Sequence, residues 1–259
     1  LAPRAGHDLN YIALSGALYH SGRAGQPPTP ALNLTGDFGG GGMLLAYGMV
    51  CALLEAARTG QGQVVDAAMI DGSAALMAMF FSMQARGLMS NERGTNMLDT
   101  GAPFYEVYET ADGQWISIGS LEPQFYAQLR THLGLDDELF DNQLDGSQWP
   151  AMKERIAEVV RTKTRGEWDE ILGDTDVCYA PVLSLDEAPS HPHHVARGTF
   201  VEVDGVPQAA PTPRFSRTQP EAPTSMAPAG AHTREVLDTF GYAPDDVEQL
   251  LAAGTVAEA

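Results

Sequence analysis

A stretch of seven residues, Gly36-Asp37-Phe38-Gly39-Gly40-Gly41-Gly42, places a carboxylate and an aromatic ring ahead of four consecutive glycines. A phosphate-binding Walker loop ends in Gly-Lys-Ser/Thr, whereas Met43 follows the last of these glycines. The dinucleotide pattern G-x-G-x-x-G also fails, because Leu44 and Leu45 stand where its third glycine belongs. What remains is an acid followed by residues that let other backbone approach closely. Asp37 is therefore either the N-cap of a tight turn or a catalytic acid.

Upstream of the glycines, the pair His7-Asp8 stands at the start of a predicted helix. Apolar residues recur at helical spacing from Asp8 to about Tyr19. A neutral imidazole at His7 can accept a proton, and the backbone N–H groups of the first helical turn can hold a developing oxyanion. The alternative is a solvated histidine without a chemical role.

Two further helices are predicted downstream of the glycines. The pattern is helical from Met43 to Arg58, with Gly60 at the C′ position that ends a helix, and again from about Val64 to Ala85. Both segments are apolar on most faces, so we expect both helices to be buried. Eight of the ten methionines lie between Met43 and Met97, and they either fill the core or form an adaptable surface for acyl chains.

Beyond about residue 100 the pattern becomes mixed α and β. Two β-rich runs flank Asp112-Gly113, which predicts a hairpin. The other predicted elements are a helix from Pro123 to about Leu133, a helix after Ser147, a short helix around Trp168, strands at 177–183 and 200–203, an irregular connection at 207–230, and helices at 233–240 and 244–253.

Composition excludes several classes of protein. The 259 residues include 34 acidic and 15 basic ones, and the net charge of −19 is opposite in sign to that of a protein that neutralises nucleic-acid phosphates. We therefore expect no nucleic-acid partner. The chain has no run of 18 uncharged apolar residues, so we expect no membrane span. Its two cysteines, Cys51 and Cys178, make no disulfide scaffold and favour a reducing, cytoplasmic location.

The histidine cluster His191-Pro192-His193-His194 is a candidate metal site. It lacks the H-E-x-x-H arrangement, and the proline between the histidines predicts a loop. We therefore expect no metal.

Three strings of residues carry a resemblance to a known family. They are Ala5-Gly6-His7-Asp8-Leu9-Asn10-Tyr11-Ile12-Ala13-Leu14-Ser15-Gly16, Gly36-Asp37-Phe38-Gly39-Gly40-Gly41 and Leu121-Glu122-Pro123-Gln124-Phe125-Tyr126. With Arg93-Gly94-Thr95-Asn96 and Asp186-Glu187-Ala188-Pro189, the chain resembles the racemase branch of the family III CoA-transferase (CaiB/BaiF-type) superfamily along nearly its whole length.

The resemblance implies the α/β fold of that family, with a Rossmann-like large domain and a smaller α+β domain in an interlocked dimer. The active site would lie between the subunits. Family members begin well upstream of Leu1, and the chain lacks an initiator Met, so we expect a fragment or a processed chain with an incomplete large domain. The implied domains are the rest of the large domain at 1–96, the small domain at 97–200, and a linker with C-terminal helices returning to the large domain at 201–259.

The resemblance also implies the roles of individual residues. His7 and Asp37 match the two bases of the family, which remove the α-proton of a thioester on one face and return it on the other. The backbone N–H of Asp8 matches the donor to the enolate oxygen, while the Asp8 carboxylate would repel an enolate and is expected to support the site. Glu122 matches a small-domain carboxylate that polarises the site. The segment that touches the CoA thioester arm would contribute Gly6, Asp8, Asn10 and Tyr11.

The implied activity is the interconversion of (R)- and (S)-2-methylacyl-CoA by two-base proton transfer through an enolate, in lipid and fatty acid metabolism. No separate cofactor is expected, because coenzyme A is part of the substrate. Two alternatives stay open: a family III CoA-transferase in which Asp37 attacks the thioester, and a non-catalytic module that binds CoA thioesters. His7 distinguishes the first, because a transferase needs no base at this position.

Overall fold

The structure is a computed structural model, and it describes residues 3–259. The start of the chain, on which the interpretation as a fragment or processed chain depends, lies outside the described residues. The chain divides into two compact units, of which the first ends at Val182 and the second is Leu183–Ala259. The domain boundaries expected after residues 96 and 200 stay a prediction.

The first unit begins with helical elements. In chain order they are α1 (Asp8–Leu14), a π-helix (Leu34–Met43), α2 (Leu44–Thr59), α3 (Met69–Leu76) and α4 (Ala78–Ala85). α1 is shorter than predicted because Gly16, with φ of 86°, ends it in the left-handed conformation. The glycine stretch forms a π-helix, in which backbone N–H groups bond to the carbonyl five residues earlier.

The single helix predicted over residues 64–85 is wrong. The segment before Met69 is extended, with Ala68 at φ −75° and ψ 133°, and the helical part is interrupted at Met77. Adjacent β-branched residues at Val64 and Val65 favour extended backbone, which explains the late start. The result is two short helices of eight residues each, α3 and α4.

The burial expected for both long helices is also wrong for this chain by itself. In α3 only Gly72 and Ser73 are buried, and α4 has no buried residue. None of the residues of α2 is buried. Its apolar side chains are between 37% and 72% exposed, and they are Leu44, Leu45, Tyr47, Met49, Val50, Leu53 and Leu54. An apolar helix needs a covering surface, but its sequence does not say which chain provides it.

The expected absence of a membrane span is not confirmed. Within the described residues, the combined helix Leu34–Thr59 is 26 residues long and, with a mean hydropathy of 1.5, is long and apolar enough to cross a membrane. The core helix of a soluble protein can meet the same criterion, so the finding is weak evidence for a membrane span.

The rest of the first unit is an antiparallel sheet with helices and a large core. The strands are β1 (Tyr105–Glu109), β2 (Trp115–Gly119) and β3 (Tyr179–Pro181), hydrogen-bonded in that order. The hairpin prediction is confirmed, with Tyr105 opposite Gly119 and Glu109 opposite Trp115. The helices are α5 (Pro123–Leu133), a 3₁₀ turn (Glu138–Phe140), α6 (Trp149–Val160) and α7 (Arg165–Leu172). Fully buried side chains of the core include Phe104, Ile116, Leu129, Phe140, Ile156 and Trp168.

A buried carboxylate ties the segment after α1 to this sheet. The Glu106 side chain, 1% exposed, receives two hydrogen bonds from the Arg23 guanidinium at 2.7 and 2.9 Å. Its Oε2 atom also lies 3.1 Å from the ammonium of Lys153 on α6. Two cations around one buried carboxylate offset the free energy of burying it.

The second unit contains a 3₁₀ turn (Ala188–Ser190), α8 (Pro192–Arg197), the hairpin β4 (Phe200–Val203) and β5 (Val206–Ala209), α9 (Thr233–Thr239) and α10 (Pro244–Ala252). The loop predicted for the histidine cluster is wrong, because Pro192 occupies the first position of α8, where its missing N–H costs nothing. Arg234 joins α9 to Glu248 at 2.6 Å and to Glu258 at 2.8 Å.

Candidate functional site

A buried carboxylate joins the start of α1 to the start of the π-helix. The Oδ1 atom of Asp8 accepts the backbone N–H of Gly36 at 2.6 Å and that of Asp37 at 2.8 Å. Asp8 is 4% exposed, and a hydrogen bond that an amide N–H donates to a carboxylate is stronger than one between neutral groups. A Cβ atom at Gly36 would overlap this carboxylate, so the contact needs glycine there. The contact brings together the segments that carry His7 and Asp37.

His7 is the N-cap of α1 and has an extended backbone, with φ −130° and ψ 177°. Its backbone N–H donates to Oδ1 of Asn10 at 3.1 Å, and its carbonyl accepts the Asn10 N–H at 2.9 Å. The His7 side chain is exposed. Asn10 thus holds the main chain of His7, and the imidazole is open to a ligand.

Asp37 is half-buried, and its carboxylate is oriented by a neighbour that the sequence analysis missed. The side-chain amide of Asn33 donates to Oδ2 of Asp37 at 2.8 Å. Asn33 precedes Asp37 by four residues, and a polar residue at that spacing on a helical segment was the available signal. The amide fixes one oxygen of the carboxylate.

Gly6 and Tyr11 pack against each other beside His7. A Cβ atom on Gly6 would lie 3.0 Å from the Tyr11 hydroxyl and 3.1 Å from its Cζ atom. The tyrosine ring therefore covers the backbone that leads into His7. Together with Asp8, Asn10 and Asp37, these residues form one local group.

The second carboxylate oxygen of Asp8 lacks a partner. Oδ2 is buried and accepts no hydrogen bond from residues 3–259. Leaving a buried carboxylate oxygen unpaired costs free energy. A hydrogen-bond donor from outside residues 3–259 would therefore be stabilising at this atom.

Glu122 stands apart from this group. It is exposed at the N-cap of α5, with φ −77° and ψ 147°. Among residues 3–259, Glu122 forms no hydrogen bond or ion pair with His7 or Asp37. Its charge acts instead on Cys178: burial raises the pKa of that thiol, and the negative charges of Glu122 and Asp176 raise the pKa further. Cys51 and Cys178 are both free thiols.

Two cavities in the described part of the chain lie away from the His7–Asp37 group. One of about 670 Å³ runs along α6, where Trp149, Lys153 and Arg161 line it. Another, of about 330 Å³, opens beside Cys178 and is lined by Leu98 and Tyr105. Neither lining includes His7 or Asp37.

The histidine cluster in α8 is an aromatic contact. The His194 ring meets the rings of His191 and His193 edge-on, each with centroids 5.7 Å apart, and that of Phe200 at 5.3 Å. Among residues 3–259, no group of three His, Cys, Asp or Glu side chains is arranged to hold a metal ion. The expectation that no metal or separate cofactor is used stays a prediction.

Comparison with known proteins identifies relatives of the chain. The family model described as CoA-transferase family III matches residues 1–233. The chain is 45% identical over 249 residues to alpha-methylacyl-CoA racemase of Mus musculus and 43% identical over 251 residues to the Homo sapiens protein of the same name. Each match covers 95% of the chain and 65% of the relative, so the chain spans about two thirds of its relatives' length.

A solved structure shares the fold. A CaiB/BaiF family protein from Brucella suis superposes with a TM-score of 0.75 over 91% of this chain and 63% of its own, at 22% sequence identity. The expected family III CoA-transferase fold, with mixed helices and sheets, is confirmed. The expected dimer stays a prediction.

Proposed function

The chain belongs to CoA-transferase family III, and we propose that it carries the two bases of a racemase that interconverts (R)- and (S)-2-methylacyl-CoA. The observation that carries the proposal is the pair of hydrogen bonds from Gly36 and Asp37 to the Asp8 carboxylate. These bonds join the segment that carries His7 to the segment that carries Asp37, which supports their assignment to one site. The names and identities of the mouse and human relatives support the same reaction.

In this reaction a proton is removed from one face of the α-carbon and a proton is added on the opposite face. From the (S)-epimer, neutral His7 takes the α-proton, and the electron pair of the C–H bond moves into the thioester as an enolate. Protonated Asp37 then returns a proton on the other face and gives the (R)-epimer. In the reverse direction, Asp37 is the base and protonated His7 is the acid.

The enolate oxygen needs a donor between the two proton transfers. The first residues of a helix have N–H groups without an acceptor in the helix, and Asp8 is the first residue of α1. The Asp8 N–H is therefore available to the enolate oxygen. One oxygen of the carboxylate of the same residue, Oδ1, is bonded to the N–H groups of Gly36 and Asp37 and is turned toward the main chain.

We assign Glu122 to the same site through a homodimer. Glu122 is exposed, and a second copy of the chain could bring it to His7, as the family resemblance implies. The exposed apolar surface of α2 supports burial against another chain. The substrate contacts of Gly6, Asn10 and Tyr11, a role in lipid and fatty acid metabolism, and a cytoplasmic location belong to the same proposal.

A second function, CoA transfer, is supported by the family and by the position of Asp37. The Asp37 carboxylate is half-buried and oriented by Asn33, as suits a nucleophile that attacks a thioester. His7 favours the racemase, because the transferase mechanism uses no base there. A non-catalytic module that binds CoA thioesters is the third possibility.

One assay separates these functions. The protein is incubated in D₂O with (S)-2-methylacyl-CoA, and then with that thioester plus a free carboxylic acid. A racemase incorporates deuterium at the α-carbon and forms the (R)-epimer without the acid. Transfer of CoA to the acid without α-exchange would support the transferase, and neither reaction would support the binding module.

A further inference from the structure

The backbone of α3 touches the backbone of the π-helix at a pair of glycines. A Cβ atom on Gly72 would overlap the carbonyl group of Gly40. A Cβ atom on Gly40 would lie 2.6 Å from the amide nitrogen of Ser73 and 2.9 Å from the carbonyl carbon of Gly72. Gly40, Gly72 and Ser73 are all buried. The two elements can lie this close only because both contact residues lack a side chain.

This contact lies three residues beyond Asp37 in the π-helix. Gly41 continues it, since its Cβ atom would lie 3.0 Å from Cγ of Met69 in α3. At the other end of the element, Asp8 holds the N–H groups of Gly36 and Asp37. The segment that carries Asp37 is thus held between the Asp8 carboxylate and the backbone of α3.

His7 is positioned by different contacts. Its main chain bonds to Asn10 within the first turn of α1. α1 also packs against α3. A side chain on Gly72, however, would meet the carbonyl of Gly40 in the π-helix. Pushing the π-helix away from α3 displaces Asp37 directly, because Asp37 is part of the π-helix, whereas the displacement reaches His7 only through the Asp8 carboxylate and the packing of α1.

We propose that Gly72 is a positioning residue for Asp37: its missing side chain lets α3 support the π-helix and so sets the distance from the Asp37 carboxylate to the α-carbon. The inference rests on the proposed racemase function. It adds a residue in another helix on which only one of the two bases depends. A misplacement of about 1 Å is enough to lower a rate by about a hundredfold.

The test compares Gly72→Ala with Ser73→Ala in the protein as its organism makes it. Ser73 is the matched control, because it is the buried neighbour of Gly72 and its hydroxyl bonds to the Met69 carbonyl within α3, at 2.7 Å. Deuterium incorporation at the α-carbon is measured by mass spectrometry for each epimer separately. Gly72→Ala should lower exchange of the (R)-epimer, for which Asp37 is the base, at least about tenfold more than exchange of the (S)-epimer. Ser73→Ala should lower neither selectively.

A milder variant keeps the test informative if Gly72→Ala does not fold. A Cβ atom on Gly39 would lie 3.4 Å from Cδ1 of Leu76 in α3 and 3.1 Å from the Leu34 carbonyl oxygen. Gly39→Ala should therefore shift epimer selectivity in the same direction by less. Equal losses for both epimers in the folded variants, or unchanged exchange, would overturn the role of Gly72. A wild-type protein that exchanges neither epimer would overturn the racemase function itself, and this inference with it.

Discussion

Asp8 accepts the backbone N–H of Asp37 at 2.8 Å, so the carboxylate of one acidic residue is bonded to the main chain of another. The same oxygen accepts the N–H of Gly36 at 2.6 Å. Removing this carboxylate leaves two amides without an acceptor in a buried place. It also loosens the π-helix at the residue that is proposed to donate or accept the proton.

Asp8→Ala should therefore lower both stability and racemisation. Hydrogen bonds to a charged group contribute about 1.5–3 kcal/mol each, so we expect a loss of about 3 kcal/mol in the free energy of unfolding by urea. Asp8→Asn is the control, since it retains an acceptor oxygen without the charge and should lose less. Equal stability of wild type and Asp8→Ala would show that the contact does not hold the π-helix.

Asn33→Ala should impair catalysis with little effect on folding. The exposed Asn33 amide orients Oδ2 of Asp37 at 2.8 Å, so its loss lets the carboxylate rotate away from the α-carbon. We expect α-exchange of the (R)-epimer to fall by about tenfold. Asn33→Asp places a second negative charge beside Asp37, and α-exchange of the (R)-epimer should fall further in this variant. An Asn33→Ala variant with wild-type exchange would exclude this role.

The pKa of Cys178 should report the charge of Glu122. Burial and then Glu122 raise the pKa of this thiol, and the thiolate is the reactive form. In a Cys51→Ser background, alkylation by iodoacetamide should therefore need a higher pH than that of an ordinary thiol. Glu122→Gln should move the midpoint of the pH profile to lower pH. A pH profile that Glu122→Gln leaves unchanged would contradict the proximity of Glu122 to Cys178.

Glu106 should be a stabilising residue of the first unit. Removing one partner from a buried ion pair costs about 3–5 kcal/mol, and Glu106→Ala leaves Arg23 and Lys153 close together without their common anion. Both cations reach solvent, so we expect a loss at the lower end of this range, about 3 kcal/mol in the free energy of unfolding by urea. Arg155→Ala is the control, because its pairs with Asp137 and Glu158 are exposed and should contribute little. Similar losses in the two variants would contradict the assignment.

Residues with a strong backbone preference predicted where several helices and strands begin or end. Asp112-Gly113 places the hairpin correctly, Pro123 is the first residue of α5, and Gly60 ends α2 with φ of 77°. Each of these residues restricts the backbone by its own chemistry, which does not depend on distant parts of the chain. The β-branched pair Val64 and Val65 is a weaker signal than these, and the break at Met77 has no marker, so the periodicity suggested one long helix.

The sequence analysis named residues for the candidate site but did not predict their geometry. His7 and Asp37 were candidates from their own chemistry, and a family resemblance gave them and Asp8 their roles, but a sequence does not show that the Asp8 side chain reaches the main chain at Asp37. A periodicity of 3.6 residues per turn does not predict a π-helix. The Gly40–Gly72 contact depends on tertiary packing, and neither glycine alone indicates its partner. The burial expected for α2 depends on a covering surface that the described residues do not supply.

The most direct test of the two-base account is epimer-resolved α-exchange in D₂O by His7→Ala and Asp37→Asn. Racemisation needs both residues, so each variant should lose interconversion by about a hundredfold or more. One remaining base can still remove and return the proton on its own face. Asp37→Asn should therefore retain exchange of the (S)-epimer, and His7→Ala should retain that of the (R)-epimer. His193→Ala, at the exposed histidine of the cluster in α8, is the control and should racemise as the wild type does. The same epimer preference in both variants, or normal racemisation by His7→Ala, would contradict the account.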